Sequence, residues 1–164
     1  MLFVEDLSLF DVFYLADPID IANTIRQVVG LASLKKSVDC KVLLDALLSR
    51  EEMMSTAIGN GIAIPHVRLF DSMSLQEDIV VVAYLFEPVD WKAPDRKPVH
   101  TLFLVIAANE ARHLQILAEI AQLASDEDFV EFLRTMPPRE ALIERIQQIE
   151  EKMNAEETSN SQDS

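Results

Sequence analysis

The sequence predicts a single α/β domain: a sandwich in which a mixed β-sheet of four or five strands is flanked by helices on both faces. Residues 79–86 and 101–107 are continuously apolar and β-branched, as is typical of central strands covered on both sides. Helical periodicity occurs both before and after these runs. With 164 residues, 49% of them hydrophobic, the chain is long enough to bury one sizeable core.

The N-terminal elements are predicted to be a short strand followed by two helices. Residues 12–15 form a candidate edge strand. Asp20 is a plausible N-cap of the first helix, and Gly30 is expected to end that helix in a left-handed conformation. A second helix begins near Asp39 and ends between residues 50 and 54. The apolar residues that recur at helical spacing are Ile21, Ile25, Val28, Val29 and Ala32 in the first helix, and Val42, Leu43, Ala46 and Leu47 in the second.

The remaining elements alternate strand and helix. Residues 62–64 alternate as a short strand that Pro65 ends, and residues 87–100, with three prolines, form an irregular connection. A helix follows Asn109, and Ser125 with Asp128 resembles a capping box for another short helix. The last helix is expected from residue 139 to about 153. We therefore predict a domain over residues 1–153 and a disordered polar and acidic tail over residues 154–164.

The charge and cysteine content exclude several classes of function. The formal net charge of −14 leaves little room for the basic face that nucleic-acid binding requires. A single cysteine, Cys40, excludes an internal disulfide and a cysteine-cluster metal site. No apolar run approaches the length of a membrane span. These features predict a cytoplasmic protein that is neither integral to the membrane nor bound to nucleic acid.

The motif GNGIAIPH, residues 59–66, contains two of the three glycines and one of the three histidines of the chain. It lacks the spacing of a phosphate-binding loop, and its glycines precede a strand. Gly59, Asn60 and Gly61 predict a tight turn, after which the strand carries His66 to its end. A partly buried imidazole stays neutral and nucleophilic, as covalent histidine catalysis requires. A core histidine bonded to the backbone explains the spacing equally well.

Several segments together resemble one protein family. These are Ser49-Arg50-Glu51, Ser55-Thr56, the motif GNGIAIPH, residues 88–108 and residues 113–133, and the resemblance covers roughly residues 17–146. They are similar to the fructose/mannitol-type (type 2) enzyme IIA domains of the bacterial phosphotransferase system. The form of the motif and the sequence PVH before the central strand favour the nitrogen-related regulatory subgroup. Val67 stands where the family usually has a small residue.

The resemblance implies a phosphoryl relay in which the carrier protein HPr donates to the IIA histidine. By position, His66 is the acceptor, through Nε2, and His113 is the neighbouring histidine that hydrogen-bonds the phosphoryl group or the ring. Arg50 is the arginine that stabilises the phosphate. The phosphate environment further includes the hydroxyls of Ser55 and Thr56 and the backbone amides at Gly59 and Gly61. No metal or other cofactor is implied, because phosphoryl transfer requires mainly positioning and charge neutralisation.

Alternatives to these assignments remain open on the residues alone. His113 lies at a helix start, where it can act as a cap, and Arg50 at a helix end can simply complement the dipole. His100 is interpreted as structural or as a support for the site, and no helical histidine pair supports a three-histidine zinc site. The output is predicted to be regulatory, through a target protein. The alternatives are a sugar-specific IIA component that passes phosphate to a separate IIB, and a binding module that is not phosphorylated.

Overall fold

The computed structural model describes residues 10–35, 39–68 and 78–162. Within these ranges the chain forms five strands and five helices. The strands are β1 (Phe10–Leu15), β2 (Ala57–Gly59), β3 (Ile62–Ala63), β4 (Ile79–Val89) and β5 (Val99–Ile106). The helices are α1 (Ile21–Lys35), α2 (Cys40–Met53), α3 (Glu110–Ala124), α4 (Glu127–Arg134) and α5 (Arg139–Gln162).

The strands form one mixed sheet in the order β1-β4-β5-β3-β2. β1 is parallel to β4, β4 is antiparallel to β5, β5 is parallel to β3, and β3 is antiparallel to β2. The predicted central strands are thus β4 and β5, and the predicted edge strand is β1, which begins at Phe10. This arrangement confirms the predicted fold class.

Helices cover both faces of the sheet because alternate residues of the central strands point in opposite directions. On β5, Leu102, Leu104 and Ile106 pack with α1 and α2, whereas Phe103 and Val105 pack with α3, α4 and α5. All eight residues of β5 are buried. A continuously apolar strand therefore serves two cores, which is why its sequence shows no alternation.

Local capping chemistry agrees with three predicted helix starts and differs at two other positions. The side chains of Asp20, Asp39 and Asn109 accept from backbone amides of the first turns that follow them. Gly30, however, lies inside α1 and has no positive φ. Packing of the apolar residues on both sides of it outweighs the roughly 1 kcal/mol that an interior glycine costs. The cap of α4 is Asp126, and the Ser125 hydroxyl instead donates to Gln122 at the end of α3.

The last helix, α5, also extends beyond its predicted end at about residue 153. In the structure, α5 continues to Gln162, and every residue of residues 154–162 is exposed. The hydroxyls of Thr158, Ser159 and Ser161 bond to backbone carbonyls one turn earlier in the helix. The residues after 153 contain no apolar anchor, but a helix that is already nucleated propagates at low cost through such residues.

The predicted turn at the glycine motif joins β2 to β3. Gly59, Asn60 and Gly61 have φ values of 98°, 57° and 77°. The Gly61 carbonyl accepts from the amides of His100 and Thr101 at 2.8 and 3.2 Å. The turn therefore fixes β3 against β5, and the chain then leads from β3 directly to His66.

Candidate functional site

A cleft of about 510 Å³ opens where α2, the segment after β3 and the start of α3 meet. Its two imidazoles, His66 and His113, have ring centroids 5.3 Å apart at an interplanar angle of 56°. Two arginines, Arg50 and Arg68, also line it. The rest of the wall is formed by Ala46, Ser49, Met53, Val67 and Leu117. The fold thus brings together the two histidines and the arginine that the sequence singled out.

His66 is held both through its main chain and through its ring. The preceding residue, Pro65, accepts from the Val105 amide at 2.9 Å, and His66 forms a parallel bridge with Val105. Its Nδ1 lies 2.6 Å from the carbonyl oxygen of Ile64. Because a carbonyl only accepts, Nδ1 carries the proton, and Nε2 of the neutral ring keeps its lone pair.

Burial lowers the pKa of His66 below its ordinary value of 6.5, although the hydrogen bond to Ile64 opposes this shift. The positive charges of Arg50 and Arg68 lower this pKa further, and Glu51 raises it. The ring is therefore neutral at pH 7, which is the protonation state that a nucleophilic imidazole requires.

His113 lies in the first turn of α3, where its backbone amide donates to the Asn109 carbonyl at 3.0 Å. The residue is 1% exposed, and it lines the cleft. Burial, together with the charges of His66 and Arg68, lowers its pKa to about 4 against the opposing effect of Glu110. The second imidazole is accordingly neutral as well.

An ion pair fixes the start of α3 relative to the sheet. Arg112 binds one carboxylate oxygen of Asp78 through Nε at 2.6 Å and Nη2 at 2.5 Å. The other oxygen accepts from the Ala108 amide at 2.9 Å. Asp78 directly precedes β4, and Arg112 directly precedes His113. This contact therefore fixes the position of the His113 imidazole relative to the sheet.

Arg50 contacts the end of its own helix and also lines the cleft. It lies in the last turn of α2, and its guanidinium donates to the Met54 carbonyl at 2.8 Å. It also lines the cleft and acts electrostatically on His66. One side chain therefore satisfies the helix end and directs positive charge at the imidazole.

The hydroxyls of Ser55 and Thr56 are bonded away from the histidines. Ser55 donates to the Trp91 carbonyl at 2.5 Å and accepts from the Ala57 amide. Thr56 donates to Glu51 through its hydroxyl at 2.6 Å and through its amide at 2.8 Å. Neither residue lines the cleft, so a role in binding phosphate would require these bonds to rearrange.

Gly59 and Gly61 likewise lie outside the cleft lining. Between them, the Asn60 amide donates to the Asp95 carboxylate at 2.8 Å, and the Asn60 side chain donates to Ala124. An added Cβ at Gly61 would lie 2.3 Å from the buried ring of His100. The two glycines thus allow the turn and the close approach of His100.

Arg68 and Glu51 are residues of this region for which no role was predicted from the sequence. Arg68 lines the cleft, and its position two residues after His66 was the available signal. Glu51 accepts from Thr56 and from Trp91 Nε1 at 2.8 Å, a partner 40 residues away that no local pattern reveals. Val67 lines the cleft but is 5% exposed and packs in the core with α1 and α2.

A larger cavity, of about 730 Å³, lies beside α1 and α2, away from the histidines. Of the polar residues that line it, Glu51 accepts from Thr56 and Trp91, and Ser55 donates to the Trp91 backbone carbonyl. Among the described residues, no group of three or more His, Cys, Asp or Glu side chains is arranged to hold a metal ion. No helix in the same part of the chain is long and apolar enough to cross a bilayer.

Comparison with known families matches residues 11–149 to the family "Phosphoenolpyruvate-dependent sugar phosphotransferase system, EIIA 2". The chain belongs to this enzyme IIA family. The IIA chain is 37% identical over 127 residues to a nitrogen regulatory protein of Pseudomonas aeruginosa, covering 76% of this chain and 80% of that protein.

Two solved structures show the same fold. The nitrogen regulatory protein IIA-Ntr of Neisseria meningitidis superposes with a TM-score of 0.75 at 25% identity, covering 89% of this IIA chain and 99% of the other. The mannitol IIA of Escherichia coli, in its complex with phosphorylated IIB, gives a TM-score of 0.68 at 19% identity, covering 83% and 94%. The family assignment and the fold confirm the resemblance predicted from the motif.

Proposed function

We propose that this IIA chain is a cytoplasmic phosphohistidine carrier, which accepts a phosphoryl group from an HPr-type protein on Nε2 of His66. The observation that carries this proposal is the 2.6 Å bond from Nδ1 to the Ile64 carbonyl, in a ring that lines an open cleft. It fixes the tautomer and leaves the nucleophilic nitrogen as the one without the proton.

The transfer is an exchange between two imidazoles. Nε2 of His66 attacks the phosphorus in line, its P–N bond forms, and the P–N bond to the donor histidine breaks, with the electron pair returning to the donor nitrogen. The proton of His66 stays bonded to Nδ1 throughout, hydrogen-bonded to the Ile64 carbonyl. Bonds of the same kind are formed and broken, so the exchange is nearly balanced and requires no nucleotide.

The remaining groups of the cleft stabilise the transferred charge. The Arg50 guanidinium has the donor geometry that phosphoryl oxygens favour, and its bond to Met54 is to a neutral carbonyl. His113 is neutral at pH 7, because its pKa is lowered to about 4, and one ring nitrogen then carries a proton to donate. Positioning and charge neutralisation of this kind supply most of the catalysis in phosphoryl transfer.

The output that we favour is regulatory. The similarity to the Pseudomonas nitrogen regulatory protein and to IIA-Ntr supports it. Phosphorylation adds up to about two negative charges at a cleft whose lining includes the exposed Met53, a change that can switch binding of a target protein. The family description and the mannitol IIA fold favour a second candidate, in which the chain passes phosphate to a separate IIB during sugar uptake.

The decisive experiment is intact-mass spectrometry after incubation with phosphoenolpyruvate, the general phosphotransferase enzyme and HPr. We expect the gain of one phosphoryl group, labile in acid, which requires HPr and is absent in His66→Ala. His100→Gln is the matched control, because His100 is a buried histidine outside the cleft. Absence of a gain with an active HPr, or a gain that persists in His66→Ala, would contradict the proposal.

A second experiment, with the phosphorylated chain, distinguishes the regulatory function from the sugar-uptake function. It is mixed with purified IIB domains of the mannitol and fructose type, and loss of its phosphoryl group is followed by mass. A regulatory chain is expected to keep its phosphoryl group in the presence of these IIB domains for much longer than it takes to become phosphorylated by its donor. Rapid and complete transfer to either IIB would favour the sugar-uptake candidate instead.

A further inference from the structure

Arg68 occupies the cleft in a different way from Arg50. Its Nη1 lies 3.3 Å from the Glu110 carboxylate, in a pair whose side chains are 58% and 64% exposed. Arg50, by contrast, is bonded to a backbone carbonyl of its own helix end. A single exposed contact between two long side chains contributes little to stability. Arg68 can therefore leave Glu110 at low cost.

The charge of Arg68 reaches both histidines. It lowers the pKa of His66 and of His113, whereas Arg50 affects the pKa of His66 only. Glu110 opposes this effect at His113. The guanidinium belongs to the same cleft lining as the two rings between which a transferred phosphoryl group would be held.

We propose that Arg68 is a second guanidinium of the phosphoryl site, which Glu110 holds while His66 is unmodified and which moves to the phosphoryl oxygens once His66 carries the group. This inference rests on the proposed function. A phosphoryl group offers up to about two negative charges and three acceptor oxygens, and it competes with a carboxylate that makes one contact.

The exchange also leaves Glu110 without Arg68 when the site is loaded. Glu110 lies in the first turn of α3, where the helix dipole favours a carboxylate. Its release therefore carries no helix penalty. The rim of the cleft thus changes in two ways on phosphorylation. The Arg68 guanidinium turns toward His66, and the Glu110 carboxylate becomes available to an approaching partner. This rearrangement gives a target protein a means to distinguish the two states.

The test uses phosphoramidate as the donor, because this small molecule has no docking surface. The P–N bond to its nitrogen breaks, ammonia leaves, and the P–N bond to His66 Nε2 forms. Phosphorylation rates are measured by intact mass in wild type, Arg68→Gln and Arg68→Lys. We expect Arg68→Gln to lower the rate roughly ten- to a hundredfold, the effect of one charge-assisted hydrogen bond, and Arg68→Lys to lower it less.

The matched control is Arg134→Gln, which removes an exposed arginine paired with Glu131 at 3.1 Å outside the cleft. It is expected to phosphorylate at the wild-type rate. A second readout follows the phosphoryl group itself by ³¹P NMR titration. Loss of Arg68 should raise the pKa of the phosphoryl group on His66, an effect that a purely structural role would not produce.

Glu110→Gln tests the holding role. We expect Glu110→Gln alone to raise the phosphorylation rate severalfold above that of wild type. Combined with Arg68→Gln, it is expected to leave the rate of the Arg68→Gln protein unchanged. A gain that persists in that background would mean that Glu110 acts only by repulsion, and would overturn the holding role.

Failure of this inference is distinct from failure of the proposed function. If wild type is phosphorylated on His66 but Arg68→Gln matches Arg134→Gln in rate and in ³¹P titration, the role of Arg68 is overturned and the carrier function stands. If wild type takes up no phosphoryl group on His66 from phosphoramidate or from the HPr relay, the proposed function itself is overturned.

Discussion

Replacement of Gly61 with alanine tests how tightly the turn that leads to His66 is packed. Gly61 has a φ of 77°, and a Cβ there would lie 2.3 Å from Cδ2 and 2.5 Å from Nε2 of His100. His100 is 6% exposed, and its Nδ1 is paired with the Thr101 hydroxyl at 2.8 Å, so it cannot withdraw without losing that bond.

The expected cost has two parts. A left-handed conformation costs a non-glycine residue about 1–2 kcal/mol, and overpacking of a well-packed site typically costs about 1–3 kcal/mol. The sum, about 3 kcal/mol, corresponds to a fall in Tm of roughly 6–12 °C for a chain of this size. Urea unfolding followed by circular dichroism measures the change directly.

Two other glycines serve as controls. Gly30 lies within α1 with nothing within 4 Å of its added Cβ, so Gly30→Ala should stabilise the fold by about 0.5–1 kcal/mol. Gly59 has a φ of 98° but faces only the Asp95 carboxylate at 3.1 Å, so Gly59→Ala measures backbone strain with little clash. If Gly61→Ala costs no more than Gly59→Ala, the close packing against His100 is refuted.

Two further predictions concern buried groups. The pKa values of His100 and His113 are both lowered to about 4, chiefly by burial. The unfolded chain therefore binds more protons between pH 6.5 and 4, and stability that is complete above pH 6.5 falls across this window, by up to about 3 kcal/mol per histidine. Urea unfolding from pH 7 to 4.5 should show that the free energy of unfolding depends less steeply on pH in His113→Gln than in wild type. An equally steep dependence in both proteins would contradict the lowered pKa of His113. The Tyr84 hydroxyl is buried and has no hydrogen-bond partner among the described residues. Tyr84→Phe should therefore leave stability unchanged or raise it by up to about 1 kcal/mol, and thermal unfolding that shows a clear loss would contradict this.

Much of the fold follows from patterns that are local in the chain. Continuous apolar runs predicted β4 and β5, because only a strand covered on both faces needs them. Apolar periodicity predicted helix starts near Asp20, Asp39 and Asn109, and Asp20 was also predicted as an N-cap. Gly30 was misinterpreted because its effect depends on packing of the neighbouring turns, which no local rule contains.

The parts of the site that lie in one sequence motif could be predicted. The parts that depend on contacts between residues far apart in the chain could not. The motif placed His66 at the end of β3, and the resemblance paired it with His113. The hydroxyls of Ser55 and Thr56 were predicted to face phosphate, but they bond to Trp91 and Glu51. The Trp91 contact, 36 residues along the chain from Ser55, is set by tertiary structure alone.

The bridge between His66 and Val105 gives the two imidazoles a common reference. The main chain of His66 pairs with β5 near the end of that strand. His113 lies in α3, the helix that follows β5 directly in the chain. Their separation is therefore set by a few consecutive residues of one strand and its exit, rather than by the relative placement of remote parts of the fold. Surface loops and helix faces elsewhere can change to suit a new partner while the spacing of the reactive pair stays constant.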